Sequence, residues 1–211
     1  MSAVTAQLKE NRFDFVHDSQ QVFKTLMMAL AFPGIIRRLE PISLSMPKPD
    51  LGYILQPLLT LLDLETTYHV VCRDKKLWED VTHYIELNTL SQLRKLTHAD
   101  YILCLDPSLN GRFPKLKKGT LTQPNQSATV FYLLDSVAEV PIAKATELRF
   151  SGPGIEDIQT IYVSGIDPGE LEQWDHFKSD YPMGVDIFLV SQWGDVVGVP
   201  RSVSMEITGG L

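Results

Sequence analysis

Four short, nearly continuous apolar runs constrain this chain more than any other feature: Thr67–Cys72, Ala99–Leu105, Ala128–Leu134 and Val185–Ser191. Runs of this length, rich in Val, Ile, Leu and Tyr, suit strands covered on both faces rather than one face of a hairpin. Between the first two of them, Trp78–Asn88 reads as a helix. Upstream, Val22, Phe23, Leu26, Met27 and Leu30 recur at helical spacing and predict a helix with one apolar face. Asp18, with Gln21 three positions on, is the expected capping box of that helix, and Pro33-Gly34 its stop. Leu51–Leu64 has helical length, but Pro57 inside it predicts a start near Gln56 or a kink.

Later in the chain Thr146–Ser151 reads as a strand, Gly169–Lys178 as a helix, and Val196–Pro200 and Ser204–Ile207 as strands. Helices alternate with strands early, and strands cluster late. The expected fold is therefore α/β, one three-layer αβα domain over 1–211 with a mixed sheet and a loose tail at 1–16. With 211 residues, 44% of them hydrophobic, one substantial core can be buried.

Charge narrows the function classes. The net charge of -7 argues against sequence-independent contact with nucleic acid or anionic membrane. Lys115, Lys117 and Lys118 form the one basic cluster, beside Arg112, Pro114 and Gly119, and are expected to be a solvated loop. The first ten residues lack the apolar core of an export signal, and no run approaches a membrane span. A soluble, cytoplasmic chain is expected. The two cysteines, Cys72 and Cys104, lie in apolar runs and are expected to be buried and free.

Few motifs carry chemistry. Ser151-Gly152-Pro153-Gly154 is a glycine-rich turn after a strand, which makes Gly152 and Gly154 candidate backbone contacts for an anion. It lacks the lysine and Ser/Thr of a P-loop, and Pro153 has no N–H to give, so an ordinary turn is favoured. His69 and Cys72 stand three apart on a strand, hence on opposite faces, and His17, His83, His98 and His176 form no ligand pattern; no metal is expected. Asp186 and Arg201 form a better constellation. A hairpin with Trp193-Gly194 as its two-residue tip puts them opposite each other, as a pair fixing register or as an arginine able to hold a phosphate or a partner's carboxylate. Tryptophan suits such a tip poorly, and a one-residue slip would separate the two.

Several segments in order resemble the PhnH family. They are Asp18-Ser19-Gln20-Gln21 with Phe23 and Phe32-Pro33-Gly34; Leu58–Asp63; Gly119-Thr120, Pro124 and Ala128-Thr129; and Leu148–Ile155. The strongest is Tyr181-Pro182-Met183-Gly184-Val185-Asp186-Ile187, running on to Pro200-Arg201. The resemblance extends from about Asp18 to the end, departing at Pro57, at Ala31-Phe32 and in the Lys115 and Lys144 regions.

It implies a component of the carbon–phosphorus lyase system, working with PhnG, PhnI, PhnJ and PhnL. That assembly makes a ribose 1-phosphonate 5-triphosphate from MgATP and an alkylphosphonate, releasing adenine. It also implies a reduced pyridoxal-phosphate-transferase large domain without the cofactor, and Lys144 has no supporting pattern for a Schiff base. This chain is expected to bind no cofactor of its own and not to be catalytic alone. Two alternatives stay open. One is a stand-alone nucleotide transferase or nucleosidase using Asp63, Asp186 and Arg201. The other is a homodimeric scaffold presenting Trp174 and Phe177, which share a side of their predicted helix.

Overall fold

The computed structural model describes residues 13–42, 44, 48, 51–175 and 181–210. The first helix, α1 (His17–Ala31), begins upstream of the expected cap. Asp14 Oδ1 accepts from the backbone N–H groups of Val16 (2.8 Å) and His17 (3.1 Å), and Asp18 Oδ2 accepts from Asp14 N (2.8 Å). Asp18 is thus the returning half of the cap rather than its start. Val22, Leu26 and Ala29 face the core, whereas Phe23 and Met27 of the expected apolar face point to solvent.

The helix α2 (Gly52–Leu61) runs through Pro57 without starting at Gln56. Proline there removes one intrahelical donor, and seven of the helix's residues are buried, so packing holds what the backbone loses. Helix α3 (Lys75–Thr89) starts three residues before the expected Trp78, because Asp74 accepts from Leu77 N at 3.1 Å.

Seven strands form the central sheet: β1 (Arg37–Arg38), β2 (Thr67–Val71), β3 (Gln92–Leu93), β4 (Tyr101–Cys104), β5 (Thr129–Leu134), and, late in the chain, β9 (Asp186–Ser191) and β10 (Asp195–Val199). Their order is β1-β10-β9-β5-β4-β2-β3; β9 through β3 are parallel, and β10 and β1 close one edge antiparallel. The remaining strands, β6 (Ser136–Ala138), β7 (Thr146–Ser151), β8 (Gln159–Ser164) and β11 (Ser204–Gly210), make a second, antiparallel sheet in the order β11-β7-β8-β6.

Successive residues of the central strands point to opposite faces. Leu103, Phe131, Phe188, Val190 and Val196 meet α1, α2 and α3. Ile102, Val130, Tyr132, Ile187 and Leu189 meet Leu148, Phe150, Ile161, Val163 and Met205 of the second sheet, with Leu171 and Trp174 of a short helix α4 (Pro168–Asp175). The expected αβα sandwich is corrected here: the chain is α/β with a mixed sheet, but one outer layer is chiefly β. Between β5 and α4 strands take the place of helices, and β7 and β8 bury alternate residues only, as a sheet with one solvated face does. Gly198 of β10 marks the tightest helix contact; a Cβ there would lie 2.6–2.8 Å from backbone atoms of Ala29 and Leu30.

The β9–β10 hairpin differs from expectation by one residue. Val190 pairs with Val196 and Ile187 with Val199, so the loop is Gln192-Trp193-Gly194 and Asp186 falls opposite Pro200. Three loop residues let Gly194 alone take the positive φ (+92°), which tryptophan resists. Ser191 closes the turn, its Oγ accepting from Asp195 N at 3.0 Å. No helix among the described residues is long and apolar enough to cross a membrane.

Candidate functional site

Despite the slip in register, Asp186 and Arg201 meet. Strand β10 ends at Val199, and a turn closed by Val203 N to Pro200 O (3.0 Å) folds Arg201 back over the start of β9. Asp186 Oδ1 accepts from Arg201 N (3.0 Å) and Nε (3.1 Å), while Oδ2 accepts from Nη2. The guanidinium spends a further donor, Nη1, on Pro124 O at 2.7 Å. Gly184 permits the approach: its φ is +141°, and a Cβ would lie 3.0 Å from that of Arg201. The two side chains are 21% and 17% exposed. The cavity beside them, lined by Phe113, Trp174, Val185, Val203 and Met205, holds about 30 Å³, room for one water rather than a nucleotide.

The same amino-terminal edge of the sheet carries a second pair. Lys117 Nζ lies 2.6 Å from Asp100 Oδ1, and Asp100 Oδ2 accepts from Thr67 N and Oγ1. Burial would raise the Asp100 carboxyl, but the Lys117 and Thr67 hydrogen bonds outweigh it and hold it below the usual range. Lys117 is therefore a paired residue rather than part of a solvated basic loop. Lys115 is exposed at the end of a short 3₁₀ turn, as expected.

The other candidates fall elsewhere. Asp63 is exposed after α2, accepting from Glu65 N and Thr66 N at 2.9 Å, which lowers its carboxyl. It precedes β2, three strand steps from Asp186, roughly 14 Å across the sheet. The structure does not bring it to Arg201. Gly152 packs on the Ser202–Ser204 backbone, next to the Arg201 turn. Gly154 packs on Ala31, where a Cβ would lie 2.8 Å from the carbonyl oxygen. Their positive φ values (+128° and +83°) and these close approaches account for both glycines. His69 Nδ1 lies 2.8 Å from Arg94 O, and Cys72 Sγ donates to Asp74 O, in separate surroundings. Lys144 is exposed in the β6–β7 connection at φ +60°. Trp174 is buried against Phe113 and Tyr132 and is not an exposed dimer face; His176 and Phe177 lie outside the described residues.

Sequence reasoning passed over two places. The connection after β2 runs outward to β3, whereas the connection after β4 runs the other way to β5, so the crevice at the carboxyl ends of β2 and β4 is the position where open α/β sheets hold ligands. Arg73 spans it, donating through N to Asp106 Oδ1 and through Nη2 to Asn110 Oδ1, each at 3.1 Å. The loop Asp106–Gly111 after an apolar strand was the available signal. The other place is internal. Glu170 of α4 is 1% exposed; its Oε1 accepts from Tyr132 Oη at 2.5 Å, and among the described residues its Oε2 is buried without a hydrogen-bond partner.

Burial pushes the Glu170 carboxyl above the usual range, and the Tyr132 hydrogen bond offsets this only in part. A raised folded-state value means that Glu170 contributes stability below its unfolded value near 4.5, lost as pH rises through the folded value. Glu170→Gln is therefore expected to gain on the natural protein as pH rises from about 5 to about 8. Urea unfolding at both values checks this; an offset constant with pH would count against it.

Comparison with known proteins agrees with the resemblance in the sequence. The family described as bacterial phosphonate metabolism protein (PhnH) matches residues 12–206. A protein of Stutzerimonas stutzeri described as putative C-P lyase subunit protein HtxG is 30% identical over 194 residues, covering 90% of this chain and 87% of that relative. The chain belongs to the PhnH family of bacterial phosphonate metabolism proteins.

Proposed function

We propose that this chain is a subunit of a cytoplasmic carbon–phosphorus lyase assembly, contributing to formation of a ribose 1-phosphonate 5-triphosphate from MgATP and an alkylphosphonate without being catalytic alone. The observation that carries the reading is the match over 195 residues to a phosphonate-metabolism family, joined by a relative named as a lyase subunit. The site geometry supports a contributory role. Arg201 is chelated by Asp186, Lys117 by Asp100, and the cavity beside Arg201 admits about one water. A stand-alone nucleosidase would need that arginine free.

Partner contact has a ready surface. Phe23 and Met27 are 54% and 51% exposed and share one stripe of α1, with Val16, 73% exposed, just before the helix; this stripe is separate from the one that carries the core residues Val22, Leu26 and Ala29. Another subunit of the assembly is the occupant proposed, with PhnG, PhnI and PhnJ homologues as the candidates.

The test is co-expression of the tagged chain with those three homologues from its own organism, followed by size-exclusion chromatography. A stoichiometric complex is expected, and Phe23→Asp combined with Met27→Asp should reduce its recovery about tenfold or more, since exposed aromatic anchors dominate such interfaces. Elution of the natural chain alone would remove the proposal's basis.

A further inference from the structure

A groove of about 400 Å³ runs between α1 and β1, lined by Gln21, Lys24 and Thr25 on one side and Arg37, Arg38 and Glu40 on the other. Its charge opposes that of the whole molecule: three cations face one carboxylate in a chain of net charge -7. In such a protein most basic groups are expected to pair with acids, and Arg38 does, with Asp195 at 3.0 Å. Arg37 and Lys24 have no acidic partner among the described residues.

Arg37 is also held in place. Its guanidinium carbon lies 5.5 Å from the centroid of the Phe32 ring, and its Nε is buried with no hydrogen-bond acceptor among the described residues. This cation–π contact restrains the guanidinium, so less side-chain freedom remains to be lost when a ligand arrives. A planar fork of donors matches two oxygens of a tetrahedral oxyanion, and Lys24 adds a mobile point charge from the facing helix. Its volume falls within the range of small-molecule sites.

We infer that this groove binds a phosphorus oxyanion, a phosphate ester or a phosphonate, with Arg37 and Lys24 as its charge partners. The inference goes beyond the subunit role: it concerns the isolated chain and stands whether or not partners bind. Glu40 is the opposing charge, so its removal should tighten binding.

Calorimetric titration of the full chain at low salt with inorganic phosphate, methylphosphonate and tripolyphosphate tests it. Saturable binding of at least one is expected, with the tightest distinguishing a phosphonate from a nucleotide-type polyphosphate as the natural source. Arg37→Ala and Lys24→Gln should each weaken it about tenfold, as loss of a charge-assisted contact does. Glu40→Gln should strengthen it, and Lys76→Ala, exposed on α3, should leave it unchanged. Lys24 and Glu40 are exposed, so these variants carry the test if Arg37→Ala folds poorly. Absence of binding by all three anions would overturn the inference, as would affinity indifferent to Arg37 and Lys24. Loss of partner capture in these variants, with no anion bound by the natural chain, would make the groove a protein interface and overturn it equally.

Discussion

Asp186→Ala is expected to lower the free energy of unfolding by about 3 kcal/mol, the scale seen when one member of a buried ion pair is removed. The size follows from what is left behind. Without the carboxylate, Arg201 keeps one partner, Pro124 O, while its N, Nε and Nη2 donors lose theirs in a site where both side chains are about four-fifths buried. Three structural units meet there: the start of β9, the turn after β10, and the segment entering β5. The loss is therefore expected to be cooperative, lowering the melting temperature by roughly 6–12 °C for a chain of this size. Arg201→Ala should cost less, because the compact Asp186 carboxylate is more readily hydrated in the space the arginine leaves than a stranded guanidinium is. The double variant should cost less than the sum of the two single ones, since the pair acts as a unit. Urea unfolding of the three variants measures the coupling. An Asp186→Ala protein of natural stability would mean that solvent reaches Arg201 far more freely than its burial indicates.

Asp186 and Arg201 meet although the hairpin register differs by one residue from the one their spacing predicts. Pairing arithmetic assumed a two-residue tip, yet Trp193 cannot readily take positive φ, and the loop enlarged by one to place that demand on Gly194. The contact survived because Arg201 sits beyond the strand, in a turn, with a side chain long enough to absorb the shift. Strands covered on both faces were legible for a similar reason: β4, β5 and β9 are continuous apolar runs that allow no other placement.

The second sheet was less legible. Strand β8 alternates Gln159, Thr160, Ile161, Tyr162 and Val163, burying Ile161 and Val163, a weak period-two signal beside the strong runs. Helices α1 and α3 start earlier than the apolar pattern predicts because an aspartate four residues upstream, Asp14 or Asp74, makes the cap. The Arg73–Asp106–Asn110 crevice and the Arg37–Lys24 groove depend on sheet order and helix docking, which bring residues together that no spacing in the chain connects.

Phe131→Ala is expected to have the largest effect of any single truncation here, about 4 kcal/mol. Phe131 is fully buried at the middle of β5, in register with Phe188 of β9, and their rings stack at 5.0 Å with 5° between planes. Tyr101 of β4 extends the stack at 6.5 Å. These rings form the surface on which the helix layer rests, so the cavity left by truncation is bounded by strands whose spacing is fixed by hydrogen bonds and cannot collapse. Because side chains alternate along β5, the neighbouring Tyr132 points the other way, toward Glu170 and the second sheet. The damage should therefore be asymmetric. Amide exchange should rise first in α1 and α2, while β7, β8 and β11 keep their protection until global unfolding. Phe131→Leu, which fills much of the same space, should cost less than about 1.5 kcal/mol. If the two substitutions were equally damaging, ring stacking rather than filled volume would be holding the helix layer. If protection fell uniformly across both sheets, the two faces of the central sheet would be one cooperative unit.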